Sequence, residues 1–170
     1  RGQTEALNAP QGRVYQRGCA AALGDAACGF DLCQAGFRAQ MVVTGLAQSG
    51  EISLARPSPT DDSAQPAGFF QLGRFLVQTG AAAGLTGMIK EDSPDAGGAR
   101  RVSLWQNLGA ALNIGDTVQL EAGCARTAQT CKTKFGNLLN FQGFPYIPGD
   151  DWQISYPNAL QAKDGGSLFA

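Results

Sequence analysis

Between residues 36 and 122 the chain alternates apolar and polar side chains in six short runs, and this alternation limits the fold more than any other feature. In "FRAQMVVTG", Phe37, Ala39, Met41 and Val43 fall on one face, while Arg38, Gln40 and Thr44 fall on the other. Successive side chains of a strand point to opposite sides, so a period of two predicts a strand with one buried face. "EISLA" repeats the pattern with Ile52 and Leu54. "GFFQLGRFLVQ", "LTGMIKE", "ARRVSLW" and "DTVQLEA" supply four more candidates, with "RPSPTDDSAQPAG" and "EDSPDAGG" reading as loops between them. Strands this short and this closely spaced predict a mainly β fold, a small antiparallel barrel or sandwich. Phe37, Met41 and Val43 should be buried together, with Arg38 and Gln40 facing outward.

Two arms flank this zone, and each carries a cysteine pair. Cys19 and Cys28 have eight residues between them, Cys124 and Cys131 have six, and Cys33 is left over. In the first arm "LGD" and "CGFD" read as turns that close a compact loop or a short helix. In the second, "TAQTCKTKF" predicts a short helix ended by Gly136, followed by an irregular, extended run through "NFQGFPYIPGDD". Phe144–Pro145 is a candidate for a cis bond there. Neither pair has the C-x2-C spacing of thioredoxin-like sites or of most zinc knuckles. Spacing leaves three readings open: a metal ion or cluster, two local disulfides in an exported protein, or unlinked buried thiols. Arg17, Arg126, Lys132 and Lys134 stand beside the cysteines and would offset the negative charge of a thiolate cluster, although ordinary solvated side chains are the simpler explanation of their presence.

The sequence contains no histidine, which excludes Ser-His-Asp and Cys-His nucleophilic sites and every zinc site that needs an imidazole. A net charge of -1 and a pI near 5.3 advertise neither nucleic acid nor an anionic membrane as a partner. No apolar run approaches the roughly 18–20 residues of a membrane span. "GAAAGLTG" lacks the Lys-Ser/Thr ending of a phosphate loop, and the adjacent Asp150 and Asp151 cannot face each other as an acid/base pair. The chain begins with Arg1, as expected of a piece of something longer or a processed product.

"ALNAPQGRVYQRGCAAALGDAACGFDL", "GCARTAQTCKTKFGNLLNFQGFPYIPGDDW" and the terminal "DGGSLF" together resemble the C-terminal part of a phage-type tail protein, the baseplate hub of alphaproteobacterial prophages and gene transfer agents. The cysteine scheme is also similar to that of the iron–sulfur tail-tip protein L of phage lambda. This resemblance implies a [4Fe–4S] cluster held by Cys19, Cys28, Cys124 and Cys131, with Cys33 outside the ligand set. It implies an iron–sulfur subdomain built from residues 1–35 and 123–170, an inserted β domain over 36–122, and a further domain before residue 1.

On that reading the protein is a structural hub and not an enzyme. It would join the tail tube to the tip proteins and help to form the conduit for DNA. The implied partners are two further copies in a homotrimer, a distal tail protein, a large tail-tip protein and a phage-type cell-wall peptidase. Sequence-specific nucleic-acid binding and membrane insertion are not implied. The implied location is the tail tip of a particle assembled in the bacterial cytoplasm. Phe135, Phe141, Phe144 and Tyr146 would shield the cluster, and Cys33 would pack as a small buried hydrophobe. A link between residues 19 and 124 closes a loop of about 100 residues, worth about 4–5 kcal/mol by chain entropy. A redox or oxidant-sensing protein, or an exported disulfide-bonded binding module, are the rival readings.

Overall fold

The computed structural model describes residues 15–57, 65–95 and 99–147. Pro148, Asp150 and Asp151, the run from Trp152 to Ala170 and residues 1–14 lie outside these, as do residues 58–64 and 96–98 of the two loops.

Six antiparallel strands form: β1 (Arg38–Leu46), β2 (Glu51–Ala55), β3 (Arg74–Val77), β4 (Thr86–Pro94), β5 (Arg100–Leu104) and β6 (Thr117–Glu121). They close into a barrel in the order β1-β2-β5-β4-β3-β6. Closure pairs every strand on both edges, which removes the exposed backbone groups of an open sheet. Alternation fills the interior as expected, with Met41, Val43, Ile52, Leu54, Phe75, Val77, Ile89, Val102, Val118 and Leu120 all buried. Phe70 and Ala82 complete this core from the connecting segments.

Three expectations change in detail. Phe37 is only half-buried and joins a second cluster with Phe30 and Phe135, so it does not share the barrel core of Met41 and Val43. The apolar run "GFFQLGRFLVQ" contributes only Arg74–Val77 as strand, because Phe70 turns inward from a tight turn in which Gly73 N–H bonds Phe70 C=O at 2.8 Å. The start of "EDSPDAGG" is strand rather than loop, since β4 continues to Pro94.

A bulge in β4 between Ile89 and Glu91 explains how Asp92 is brought inside. The extra residue shifts the inward phase, so Asp92 rather than Glu91 follows Ile89 into the interior. There Asp92 meets Arg100 of β5, with Nε–Oδ1 at 2.7 Å and Nη2–Oδ2 at 2.9 Å. The same guanidinium donates to the carbonyls of Gln65 (3.0 Å) and Pro66 (2.9 Å), and Asp92 Oδ2 accepts from Phe70 N–H at 2.9 Å. One buried ion pair therefore pins the whole 65–70 segment to the barrel end.

The arms leave the barrel at a close backbone crossing. A Cβ on Gly123 would stand 1.7 Å from Gln71 O, and one on Gly73 would stand 2.0 Å from Glu121 O, so only glycine fits at either position. Beyond this crossing, helix α1 (Ala128–Thr133) starts at Thr127, whose hydroxyl accepts from Thr130 N–H. It gives way to Gly136 at φ +59°, the expected stop. Phe144–Pro145 is trans, so the expected cis bond is not found.

Candidate metal centre

The first arm presents its cysteines on tight turns. Asp25 accepts from Ala22 N–H at 2.9 Å and from Cys28 N–H at 2.6 Å, which folds the loop that carries Cys28. The Cys28 amide is the main cause, with Ala22 second, that holds the Asp25 carboxyl below its ordinary range. The second arm places Cys131 on α1 and Cys124 directly after the glycine crossing.

The two arms then pair along their backbones. Cys19 N–H donates to Arg126 C=O at 2.8 Å, Ala20 N–H to Gln142 C=O at 3.3 Å, and Phe144 N–H to Gln16 C=O at 2.9 Å. Beneath them Phe30 packs edge-on against Phe135 and Phe37, with ring centroids 4.9 and 4.8 Å apart. Cys28 and Cys124 lie against this aromatic cluster.

Cys19, Cys28 and Cys124 all lie within electrostatic reach of Cys131. Burial pushes the Cys131 thiol up, and the charges of Cys124, Cys19 and Cys28 push it further. Hydrogen-bond donors face three of the sulfurs: Gln142 N–H to Cys19 Sγ at 3.3 Å, Asn137 Nδ2 to Cys28 Sγ at 3.6 Å, and Arg126 N–H to Cys124 Sγ at 3.4 Å. Cys131 Sγ instead donates to Asn137 C=O at 3.2 Å, as a protonated thiol does. None of the five cysteines is disulfide-bonded.

Among the described residues, no three His, Cys, Asp or Glu side chains stand together in a group that would hold a metal ion. A single zinc would draw its sulfur ligands to about 2.3 Å from one centre, closer together than these thiols stand. The all-sulfur donor set and its amide donors fit an iron–sulfur cluster, which occupies more space than one ion and is tuned by N–H···S bonds.

Cys33 departs from expectation. It is exposed rather than buried, and it accepts from Arg38 Nη1 at 3.2 Å instead of packing as a hydrophobe. The expected aromatic cover is also only partly found: Phe135 is buried and Phe141 and Phe144 are half-buried, but Tyr146 is 85% exposed.

Of the four nearby cations, Lys134 alone is drawn toward the barrel. Its Nζ donates to Gly123 C=O at 2.7 Å and to Phe69 C=O, and burial lowers its pKa to about 8 against the pull of Cys124 and Asp92. Arg17 instead bonds the Ile147 carbonyl at 2.8 Å, and Lys132 is exposed. Asn137 and Gln142 had no signal in the sequence, because each reaches a cysteine more than 100 positions away.

A separate groove of about 1250 Å³ opens between the first arm and the barrel, lined by Leu23, Leu32, Cys33, Leu72, Met88 and Trp105. Its wall includes Glu121, which pairs with Arg38 at 3.1 Å and Arg74 at 2.8 Å.

Similarity to known proteins extends to phage-derived families and to a solved virion chain. The family described as "Phage conserved hypothetical protein BR0599" matches residues 68–151, and "Baseplate hub protein, N-terminal attachment domain" matches residues 1–31. A chain in the solved structure "Virion of native gene transfer agent (GTA) particle" is 46% identical, superposes with a TM-score of 0.75, and is matched over 99% of the present chain. The chain is similar to phage-derived families and to a gene transfer agent virion chain. It spans 56% of the length of that virion chain. No curated protein matches it. Among the described residues, no helix is long and apolar enough to cross a membrane.

Proposed function

We propose that the protein is a structural hub component of a phage-like tail tip or baseplate, stapled by one [4Fe–4S] cluster on Cys19, Cys28, Cys124 and Cys131. The observation that carries the proposal is the 46% identity, over nearly the whole chain, to a gene transfer agent virion chain. The matched attachment domain of baseplate hub proteins supports the same location.

When bound, the cluster would supply a four-point thiolate cross-link between the two arms. The chain's own residues do the rest. Asp25 and α1 orient the cysteines, the Phe30–Phe37–Phe135 cluster keeps water from one side, and Lys134 anchors the second arm to the barrel. The role is structural rather than enzymatic. In the particle the hub is a homotrimer that joins the tail tube and distal tail protein to the large tip protein and helps to form the DNA conduit. A barrel without exposed strand edges suits a load-bearing part of this kind.

Iron and acid-labile sulfide per chain, measured on anaerobically purified protein, test the cluster. About four of each per chain, with a brown colour, is the expected result. One zinc per chain without sulfide would defeat the cluster while sparing its ligands. Antibody labelling of purified particles tests the location, and label anywhere but the tail tip would overturn it.

A further inference from the structure

We infer that Asn137 is a positioning residue that joins the two cysteine arms and tunes the cluster through Cys28, an inference that rests on the cluster reading above. Its Nδ2 donates to Cys28 C=O at 2.6 Å and faces Cys28 Sγ at 3.6 Å. Its backbone N–H donates to Cys131 C=O at 3.0 Å, and its own carbonyl accepts the Cys131 S–H at 3.2 Å. One residue thus touches a cysteine of each arm across 109 positions of sequence.

The orientation of the amide is itself fixed. Asn137 Oδ1 accepts from Asn140 Nδ2 at 2.7 Å, so the oxygen end faces Asn140 and the nitrogen end faces Cys28. Ligation replaces the Cys131 S–H proton with iron and ends that one contact. The bonds from Nδ2 and the backbone bond to Cys131 do not depend on that proton. A donor aimed at a ligand sulfur stabilises the extra negative charge of a reduced cluster, and therefore raises its reduction potential. A purely structural asparagine would alter melting without altering potential.

The test uses the full chain, purified anaerobically, as wild type, Asn137→Leu and Asn140→Ala. Iron and sulfide content, redox titration and the melting temperature are measured on each. Asn137→Leu removes the donor at similar volume, and its midpoint potential is expected to shift to more negative values with faster loss of iron to a chelator. Asn140→Ala frees the Asn137 amide to turn, and a smaller shift in the same direction is expected. Asn140 is exposed, so this variant carries the test if Asn137→Leu does not fold. An iron-loaded variant pair with unmoved potentials would overturn the role of Asn137 while leaving the cluster in place. An iron-free wild type would instead remove the cluster reading, and this inference with it.

Discussion

The barrel and the cysteine arms occupy one chain but are held by different means. Inside the barrel a dozen buried side chains pack together, from Met41 on β1 to Leu120 on β6. Under the arms the buried cluster is Phe30, Ala122 and Phe135, with half-buried neighbours around it. Each fully buried Leu, Val or Phe contributes about 1.5–3 kcal/mol, so apolar burial suffices for the barrel and falls well short for the arms. The arms rely on long-range polar ties such as Cys19–Arg126 and Asn137–Cys28, which are worth about 1 kcal/mol each. A cross-link between the arms therefore changes their stability far more than it changes the barrel.

Cys124→Ser is the strongest way to break that comparison. Serine is a hard oxygen donor and replaces a thiolate on iron poorly. If the proposed cluster links the arms, its loss would return the freedom of a loop of about 100 residues, and about 4–5 kcal/mol of stability would go with it. Limited proteolysis should then cut within the arms while a fragment spanning the barrel persists, iron should fall, and particles made with the variant should fail to deliver DNA. Wild-type iron content together with intact arms would mean that Cys124 is no ligand.

Arg100→Ala strikes the other region. It strands the Asp92 carboxylate inside the barrel and unties Gln65 and Pro66, and breaking a buried pair in this way costs about 3–5 kcal/mol. Urea unfolding followed at the barrel should register that loss. Replacing both partners by apolar residues of similar volume should recover much of it, which a lone single variant cannot show.

These two sites also mark where sequence was legible and where it was not. Met41, Val43, Ile52 and Leu54 announce their burial because strand periodicity is local, and Gly136 announces a helix end for the same reason. Asp92 escapes detection because its inward phase is created by the bulge after Ile89, and Phe70 because a turn rather than a strand aims it inward. The cysteine pairs were conspicuous as residues, yet spacing left their chemistry open. What brings them together is contact between segments more than 100 positions apart, and no window of sequence records that. Cys33 was misjudged for a related reason: a cysteine's average preference for burial says nothing about the particular loop that holds this one beside Arg38.

Lys134 sits where the two regions meet, so Lys134→Met sharpens the comparison at its boundary. The variant leaves the Gly123 carbonyl without the lysine donor, while Phe69 C=O keeps Gly123 N–H at 3.2 Å, and about 1 kcal/mol of stability is expected to go near neutral pH. The pH dependence has a definite sign. The folded pKa of about 8 lies below the ordinary 10.5, so between those values the unfolded chain holds more protons than the folded one. Wild-type stability therefore gains a rising contribution from pH 8 to about 10.5, and this contribution is lost as pH falls through 8. A neutral amine still has two protons for the two carbonyls. The gap between wild type and Lys134→Met should widen across that window, and melting curves at pH 7 and pH 10 would measure it.

The smallest effect is expected at Cys33, and its smallness is informative. Cys33 is exposed and its thiol accepts a 3.2 Å contact from Arg38 Nη1, while its N–H donates to Asp31 Oδ1 at 2.8 Å and Arg38 keeps its 3.1 Å pair with Glu121 through Nε. A serine hydroxyl can accept from the same guanidinium, so Cys33→Ser should alter stability by no more than about 0.5 kcal/mol. The thiol also lies on the groove between first arm and barrel, whereas the other four cysteines line no part of it. Iron content in Cys33→Ser should therefore equal that of wild type, and particles should still deliver DNA. Iron loss in Cys33→Ser with retention in Cys124→Ser would reverse the ligand assignment and move the cross-link from the space between the arms to the edge of the groove.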